Sequence, residues 1–222
     1  CPNAQHVVHM NVDKYIPNPI HTGALAISMF EFMGKLMGMS IRIKLCLPFE
    51  FPSIIWKLII GEEVLIDDLI AIDAITCKLL HTIRHCDEDE IINQETFSEK
   101  YGNRLKFIYT GSDGVERELY TESREKSVTY DNRLEYCDLV EKARLNEFNR
   151  QVSAISEGLA AVVPMRMLQL FSWQQLETII SGSPTFDIEL WKSRTESSGL
   201  ASKTLSLFWK VIESLTPKEH SG

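Results

Sequence analysis

The stretch from Leu134 to Trp191 constrains the fold more than any other part of the sequence. In its first half, apolar residues recur at alternating intervals of four and three positions: Phe148, Val152, Ile155, Leu159 and Val162. This spacing predicts one long amphipathic helix, whose polar face includes Glu141 and Arg150. Pro164 predicts the end of the helix, because proline lacks an N–H and its ring clashes with the preceding turn.

The residues after this helix carry the signals of two more. Ser172 and Gln175 have the spacing of a capping box, in which each side chain accepts a bond from the backbone N–H of the other residue. Gly182 can end the helix in a left-handed conformation. Asp187 can cap a further helix that holds Trp191. The apolar residues that we expect the first of these helices to bury are Leu176, Ile179 and Ile180.

The first long apolar segment predicts a helix over residues 24–41, with Phe30, Met33 and Met37 on one face. Gly34 and Gly38 lie four positions apart on it, which favours close packing of a second helix against bare backbone. Three charged residues interrupt the segment: Glu31, Lys35 and Arg42. We therefore do not expect it to span a membrane.

Two shorter helices are predicted downstream. Pro52 can occupy the first position of a helix that Gly61 ends, and Asp73 can cap the other. The apolar residues expected on the buried side of the second helix are Ile75, Leu79, Leu80 and Ile83.

A change of pattern follows these helices. Residues 105–110 and 115–120 predict two strands joined by a turn at Gly111 and Gly114, which is typical of a β-hairpin. Four consecutive acids precede the hairpin: Asp87, Glu88, Asp89 and Glu90. They repel one another, so we expect a solvated loop. The sequence as a whole predicts an α+β fold, mainly α, with a smaller subdomain at residues 73–140.

Composition excludes several classes of protein. The chain has 222 residues with 44% hydrophobic content, which is enough to bury a core. Its formal net charge of -8 argues against nucleic-acid binding, which needs a basic face. Five cysteines, an odd number without regular spacing, favour reduced thiols inside the cell, so we expect a cytoplasmic protein.

The two ends of the sequence predict that it is part of a longer protein. The start lacks both an initiator methionine and the pattern of a signal peptide. Thr216, Pro217 and Glu219 carry the start signal of a helix only a few residues before the end. The helix before them presents one apolar face: Leu205, Phe208, Trp209, Ile212 and Leu215. We expect an exposed apolar patch around Trp209, Ile212 and Leu215.

Several of these motifs, in this order, resemble the N-terminal lobe of HECT-type ubiquitin ligases, most of all the members that also carry RCC1 repeats. The resemblance covers nearly the whole chain. Its motifs are residues 29–38 (MFEFMGKLMG) and 132–136 (NRLEY), Arg144-Leu145, Gln151, Gly158, Pro164, residues 168–171, Leu176-Glu177, residues 182–184, Asp187 and Phe208-Trp209.

The resemblance implies a partial N-terminal lobe over residues 1–222, from a two-lobed ubiquitin-protein ligase. Such ligases accept ubiquitin from a ubiquitin-conjugating enzyme as a thioester on a cysteine in a Thr-Cys-Phe context, and then pass it to substrate lysines. That cysteine belongs to the C-terminal lobe, which this chain lacks, so no catalytic residue is expected here. Ubiquitin and the conjugating enzyme are the expected partners, and no cofactor is expected.

The resemblance also implies an apolar groove in the smaller subdomain, where the conjugating enzyme docks. It places Leu80, Ile83 and Cys86 on one helix of the groove and Tyr136 and Val140 on the facing helix. The rim would be formed by the acidic run of Asp87, Glu88, Asp89 and Glu90. Cys86 and Val140 depart from the aromatic residues that the family pattern leads us to expect.

Two alternatives remain open at this stage. The chain can be a catalytically inactive helical scaffold that binds a partner helix in the same groove. It can also hold a metal, because Cys77, His81 and His85 are spaced four apart on a predicted helix, with Asp89 as a further ligand. We favour a solvated helix edge over a metal site, because the sequence lacks a second pair of cysteines.

Overall fold

A computed structural model describes residues 11–86, 94–182, 188–195 and 202–214. Several residues of the sequence predictions lie outside these ranges: the acidic run Asp87, Glu88, Asp89 and Glu90, the proposed cap Asp187, and Leu215.

The described residues form eleven α-helices and two β-strands. In chain order the elements are α1 (Ala24–Ile43), α2 (Ser53–Ile60), α3 (Ile66–Ile70), α4 (Ala74–Arg84), α5 (Gln94–Tyr101), β1 (Ile108–Thr110), β2 (Glu116–Glu118), α6 (Arg133–Leu145), α7 (Asn149–Ala160), α8 (Met165–Leu168), α9 (Trp173–Ser181), α10 (Ile188–Arg194) and α11 (Ser202–Ser214).

The predicted fold class, α+β and mainly α, is confirmed. β1 and β2 pair antiparallel, with Tyr109 opposite Arg117. Gly114 takes a φ of +76° in the turn, a conformation that favours glycine. The strands are shorter than predicted, because regular pairing extends over three residues on each side.

Helices α1 and α7 pack with their backbones in direct contact. A Cβ atom on Gly34 would lie 1.9 Å from the carbonyl oxygen of Ile155, and one on Gly158 would lie 1.9 Å from that of Glu31. A Cβ atom on Gly38 would lie 2.6 Å from the Cβ atom of Val162. The predicted role of the α1 glycines, close packing of a second helix, is therefore confirmed.

Two groups of buried apolar side chains form separate cores. The first core lies mainly among α1, α2, α3, α7 and α9 and contains Met37, Phe51, Ile54, Ile55, Trp56, Ile59, Ile60, Leu69, Ile72, Cys77, Phe148, Val152, Ile155, Leu159, Val163, Leu168, Leu176 and Ile180. The second core lies among α4, α5, α6 and the segment around the hairpin and contains Leu80, Ile83, Cys86, Phe97, Phe107, Val128, Tyr136, Cys137 and Val140. Helix α4 contributes to both, because Cys77 belongs to the first and Leu80 to the second.

Helix α1 is the one helix in the described part of the chain whose length and composition would suffice to cross a membrane. A helix of a soluble core passes the same test, and α1 buries Gly34, Met37, Gly38 and Ser40.

The prediction of one long helix before Pro164 is wrong. The chain forms two helices, α6 and α7, with a turn at residues 146–148. Asn146 closes α6, and its side-chain amide donates to the carbonyl oxygen of Lys142 over 2.7 Å. Phe148 precedes α7 and is fully buried. The prediction that the apolar residues from Phe148 to Leu159 face the core is therefore confirmed, although the helix is interrupted before them.

Local start signals are confirmed at two helices. The Asp73 side chain accepts from the backbone N–H of Thr76, and Ser172 and Gln175 form the predicted capping box. Pro52 lies one position before its predicted place, as the cap of α2. Gly182 ends α9 with a positive φ of 88°, although its ψ of 172° lies outside the left-handed helical region.

Three predicted core residues are exposed instead: Ile75, Leu79 and Ile179. The apolar stripes of α4 and α9 are therefore narrower than the sequence suggested. On α4 the buried residues are Cys77, Leu80 and Ile83.

The last described helices, α10 and α11, meet through aromatic side chains. The Trp191 ring lies 5.0 Å from Trp209 and 5.9 Å from Phe208, between ring centroids. The exposed apolar residues of α11 are Leu207, Phe208 and Val211, whereas Trp209 and Ile212 are half-buried. The predicted patch is present on this helix, but it is shifted to different residues.

Candidate functional site

Helices α4 and α6 face each other, and they carry four of the five apolar residues predicted to line a groove; the fifth, Cys86, lies two positions past the end of α4 and not on the helix as predicted. The five residues are Leu80, Ile83, Cys86, Tyr136 and Val140, and all are at most 5% exposed. They pack together in the second core rather than lining an open groove. In this conformation their side chains hold α4 and α6 together, and Leu80 alone of the five also lines a surface cleft.

Tyr136 is the largest of these five side chains, and its environment is that of a core residue. Its ring packs edge-on against Phe107, with 5.6 Å between centroids. The hydroxyl lies 3.5 Å from the carbonyl oxygen of Ile108, a weak hydrogen bond at best. Burial raises the pKa of Tyr136 to about 12. The ring therefore stabilises the contact between α6 and the hairpin segment.

Two apolar residues of α4 are exposed beside its buried face. Ile75 is 49% exposed and Leu79 is 44% exposed, and they are four residues apart, on one face of the helix. The sequence predicted both as buried, because the spacing of the four apolar residues of α4 does not determine how the helix is rotated about its axis. We call Ile75 and Leu79 the outer face of α4.

A separate cleft of about 500 Å³ lies between α3 and α4, and neither Ile75 nor Leu79 lines it. Its apolar lining comes from Ile66, Ile70, Ala74, Cys77 and Leu80, and its polar lining from Lys78, His81, Arg84, His85 and Glu141. Arg84 is already engaged, at 2.7 Å from Glu141 and 2.9 Å from Asp138. Helix α4 thus has accessible apolar surface at two separate places, the outer face and the cleft.

The cysteines of the described chain offer little nucleophilic chemistry. Cys77, Cys86 and Cys137 are buried. Burial is the main cause that raises the pKa of Cys77 to about 12 and that of Cys137 to about 11. Since the thiolate is the reactive form, these two thiols are poor nucleophiles. Cys46 is exposed.

The row of Cys77, His81 and His85 does not form a metal centre. The rings of His81 and His85 stack with 4.2 Å between centroids, and Nδ1 of His85 lies 3.0 Å from the carbonyl oxygen of His81. Across the described ranges, no three histidine, cysteine or acidic side chains are grouped so that they could hold a metal ion. Asp89, the further ligand considered, lies outside those ranges.

A buried ion network lies where the chain passes between the two cores. Arg144 is 1% exposed at its side chain and lies 2.7 Å from Asp73 and 2.5 Å from Glu147. Glu147 also accepts the backbone N–H of Ser112 in the hairpin turn, over 2.8 Å. Nothing in the sequence pattern indicated this network, because 71 positions separate Asp73 from Arg144.

Comparison with known proteins gives one consistent result. A family model described as HECT-domain (ubiquitin-transferase) matches residues 3–222. The E3 ubiquitin-protein ligase HERC2 of Mus musculus is 34% identical over 222 residues, which are 99% of this chain and 4% of the relative. The E3 ubiquitin-protein ligase HACE1 of Danio rerio is 30% identical over 208 residues, 91% of this chain and 22% of the relative. The chain thus spans a small part of the length of these relatives.

Proposed function

The chain belongs to the HECT-domain (ubiquitin-transferase) family, and from this premise we propose that it docks a ubiquitin-conjugating enzyme within a HECT-type ubiquitin-protein ligase. The docking part is residues 73–140. The observation that carries the proposal is the accessible outer face of α4, where Ile75 and Leu79 lie side by side. The ligase activity itself, transfer of ubiquitin to substrate lysines in the cytoplasm, is proposed for the longer protein.

The outer face is a better anchor site than the five buried residues that the resemblance singled out. Binding at Ile83 or Tyr136 would require the second core to open, at a cost of several kcal/mol for each large side chain exposed. Binding at Ile75 and Leu79 removes apolar surface from water without disturbing that core. We therefore move the proposed contact to the neighbouring, exposed face of the same helix.

The acidic run at residues 87–90 follows α4 directly in the sequence. We propose that it speeds the encounter with a conjugating enzyme that presents a basic surface. Charges at the edge of an interface act mainly on the association rate and are screened by salt, whereas apolar anchors govern dissociation. Neutralising Asp87, Glu88, Asp89 and Glu90 together should slow association and weaken its dependence on salt.

Surface-binding kinetics with a panel of ubiquitin-conjugating enzymes test the proposal. Ile75→Ser and Leu79→Ser should each speed dissociation, with a loss of affinity of about tenfold or more if the residue is an anchor. Ile179→Ser is the matched control, because Ile179 is 36% exposed on α9, which packs on the first core. If no conjugating enzyme binds the wild-type chain, or if the control weakens binding as much as the other two, the docking proposal is wrong.

The chain should not form a thioester with ubiquitin, because Cys77, Cys86 and Cys137 are buried and none of the cysteines lies in a Thr-Cys-Phe context. Incubation with activating enzyme, conjugating enzyme and ubiquitin should give no adduct that dithiothreitol removes. Such an adduct, lost in Cys46→Ser or Cys86→Ser, would contradict this part of the proposal and would favour transfer chemistry within the chain itself.

A further inference from the structure

One arginine bridges the two points at which the chain crosses between the cores. Arg144 lies in the last turn of α6, and its two terminal nitrogens contact different carboxylates. Nη2 donates to Asp73 over 2.7 Å and Nη1 donates to Glu147 over 2.5 Å. Asp73 precedes α4, the first helix of the second core, and Glu147 lies between α6 and α7, where the chain returns to the first core.

Both carboxylates are themselves fixed to their surroundings. Asp73 accepts the backbone N–H of Thr76 over 3.1 Å and the hydroxyl of the same residue over 2.7 Å, which ties it to the first turn of α4. Glu147 accepts the backbone N–H of Ser112 over 2.8 Å, which ties it to the turn of the hairpin. Arg144 therefore connects three segments that are far apart in sequence.

The packing around Glu147 leaves little room for movement. A Cβ atom on Gly111 would lie 2.5 Å from Oε1 of Glu147 and 2.2 Å from Nη1 of Arg117, so the backbone of the hairpin turn lies directly against the network. The side chains of Asp73, Arg144 and Glu147 are at most 3% exposed. Water thus has almost no access to the three charged groups.

Such a network contributes more to geometry than to stability. Burial of charged groups is costly, and replacing a buried ion triad with apolar residues is often neutral or stabilising. The cost is visible at Glu147, since burial raises the pKa of its carboxyl against the opposing effect of Arg144. A planar guanidinium, however, donates hydrogen bonds only along the directions of its N–H groups, whereas apolar contacts tolerate rotation and sliding.

We infer that Arg144 is a positioning residue that fixes the orientation of the second core relative to the first. Helix α4 joins the two cores through Cys77 and Leu80, and Leu145 of α6 also packs against the first core. These contacts are apolar, so they tolerate small rotations of one core against the other. The forked contact of Arg144 with Asp73 and Glu147 removes this freedom, because it holds the beginning and the end of the second-core segment together. The inference goes beyond partner docking and does not depend on which partner binds.

Spin labels on the two cores can measure this orientation. Thr129 is exposed in the second-core region and Ser153 is exposed on α7, so labels on Thr129→Cys and Ser153→Cys report the separation of the cores. Changing Cys1 and Cys46 to serine removes competing sites, since Cys77, Cys86 and Cys137 are buried. With Arg144 present, pulsed electron spin resonance should give one narrow distance distribution.

Arg144→Lys keeps the charge but loses the fork, and should broaden the distance distribution at least twofold. Arg84→Lys is the matched control, because Arg84 also contacts two carboxylates but is 33% exposed at its side chain. The control should leave the distribution unchanged. An equal broadening in both variants would mean that any lost ion pair has this effect, and would overturn the specific role of Arg144.

A variant without the network separates positioning from stability. Asp73→Ser, Arg144→Met and Glu147→Gln together retain a helix cap at position 73 and remove the three buried charges. We expect it to fold, with a free energy of unfolding close to that of the wild type, and to show a broad distance distribution. A folded variant with the narrow wild-type distribution would overturn the inference. If the triple variant does not fold, the Arg144→Lys and Arg84→Lys pair still decides the question.

Discussion

The two cores are held together by different means. In the first, α1 and α7 touch backbone to backbone at Gly34 and Gly158, so the fit depends on the absence of side-chain atoms. In the second, the contacts come from large aromatic side chains, of which Phe107 and Tyr136 meet edge to face. The stability of the first core should therefore fall when side-chain atoms are added at this contact, and that of the second core when they are removed.

The two cores also differ in their charged groups. The contact between α1 and α7 contains no buried ion pair among the described residues. The second core is bounded by ion pairs that range from the buried Arg144 network to the part-exposed pairs of Arg84. Its stability should therefore respond to pH and salt more than that of the first core. The following variants test these differences, beginning with the largest expected effect.

Removing the ring of Tyr136 should be the most damaging change. Tyr136→Ala leaves a cavity beside Phe107 and should lower the free energy of unfolding by about 4 kcal/mol. Tyr136→Phe, the control, keeps the ring and loses only the long contact with the Ile108 carbonyl, so its effect should be small. Urea denaturation measures both. A stable Tyr136→Ala variant with weakened partner binding would instead support the original prediction that Tyr136 lines a groove.

Adding one methyl group to α7 tests the first core. Gly158→Ala places a carbon 1.9 Å from the carbonyl oxygen of Glu31, and that backbone cannot move aside without separating α1 from α7. We expect a loss of about 3 kcal/mol, compared with little change for the exposed Ser153→Ala on the same helix. Denaturation curves of the two variants that coincide would show that the backbones are not in contact.

Glu147 should make the second core sensitive to pH. A carboxyl whose pKa is raised on folding binds its proton more tightly in the folded state, so its contribution to stability is largest at acid pH. That contribution falls as the pH rises above about 4.3, the ordinary value for glutamate. As the pH rises, the wild type should therefore lose stability relative to the Glu147→Gln variant. Denaturation of the wild type and of Glu147→Gln at several pH values measures this trend, and a stability difference that stays constant with pH would contradict it.

The part-exposed ion pairs should contribute least. Arg84→Gln removes contacts with Asp138 and Glu141 and should cost about 0.5 kcal/mol, less at high salt. Denaturation in low and high salt measures this effect. A loss above about 2 kcal/mol would remove the distinction drawn between these pairs and the buried Arg144 network.

Local signals in the sequence predicted local structure well. The caps at Asp73 and Ser172 and the hairpin turn at Gly114 depend on a few neighbouring residues, and all three are confirmed. Rotation of a helix about its axis is harder to predict. On α4 the residues Ile75, Leu79 and Ile83 follow one another at intervals of four, yet only Ile83 is buried, because the packing against α6 decides how much of the apolar stripe is covered.

Two features could not be found from periodicity at all. The turn after α6 contains neither glycine nor proline, and Phe148 continues the apolar stripe across it, so the sequence resembles an unbroken helix. The Arg144 network depends on contacts between distant segments, and charged residues at such separations look like ordinary surface positions.

The meeting of Asp73 and Arg144 has a consequence for how the chain is assembled. Their side chains are 2.7 Å apart although 71 positions separate them in the sequence, so the intervening segment leaves the first core and returns to the same place. A segment with adjacent ends can be lengthened, exchanged or replaced by a short linker without stretching the polypeptide on either side. Closing so long a loop costs entropy that grows only with the logarithm of its length. We therefore expect that this segment can be exchanged as a unit between related proteins, with the junctions at Asp73 and Arg144.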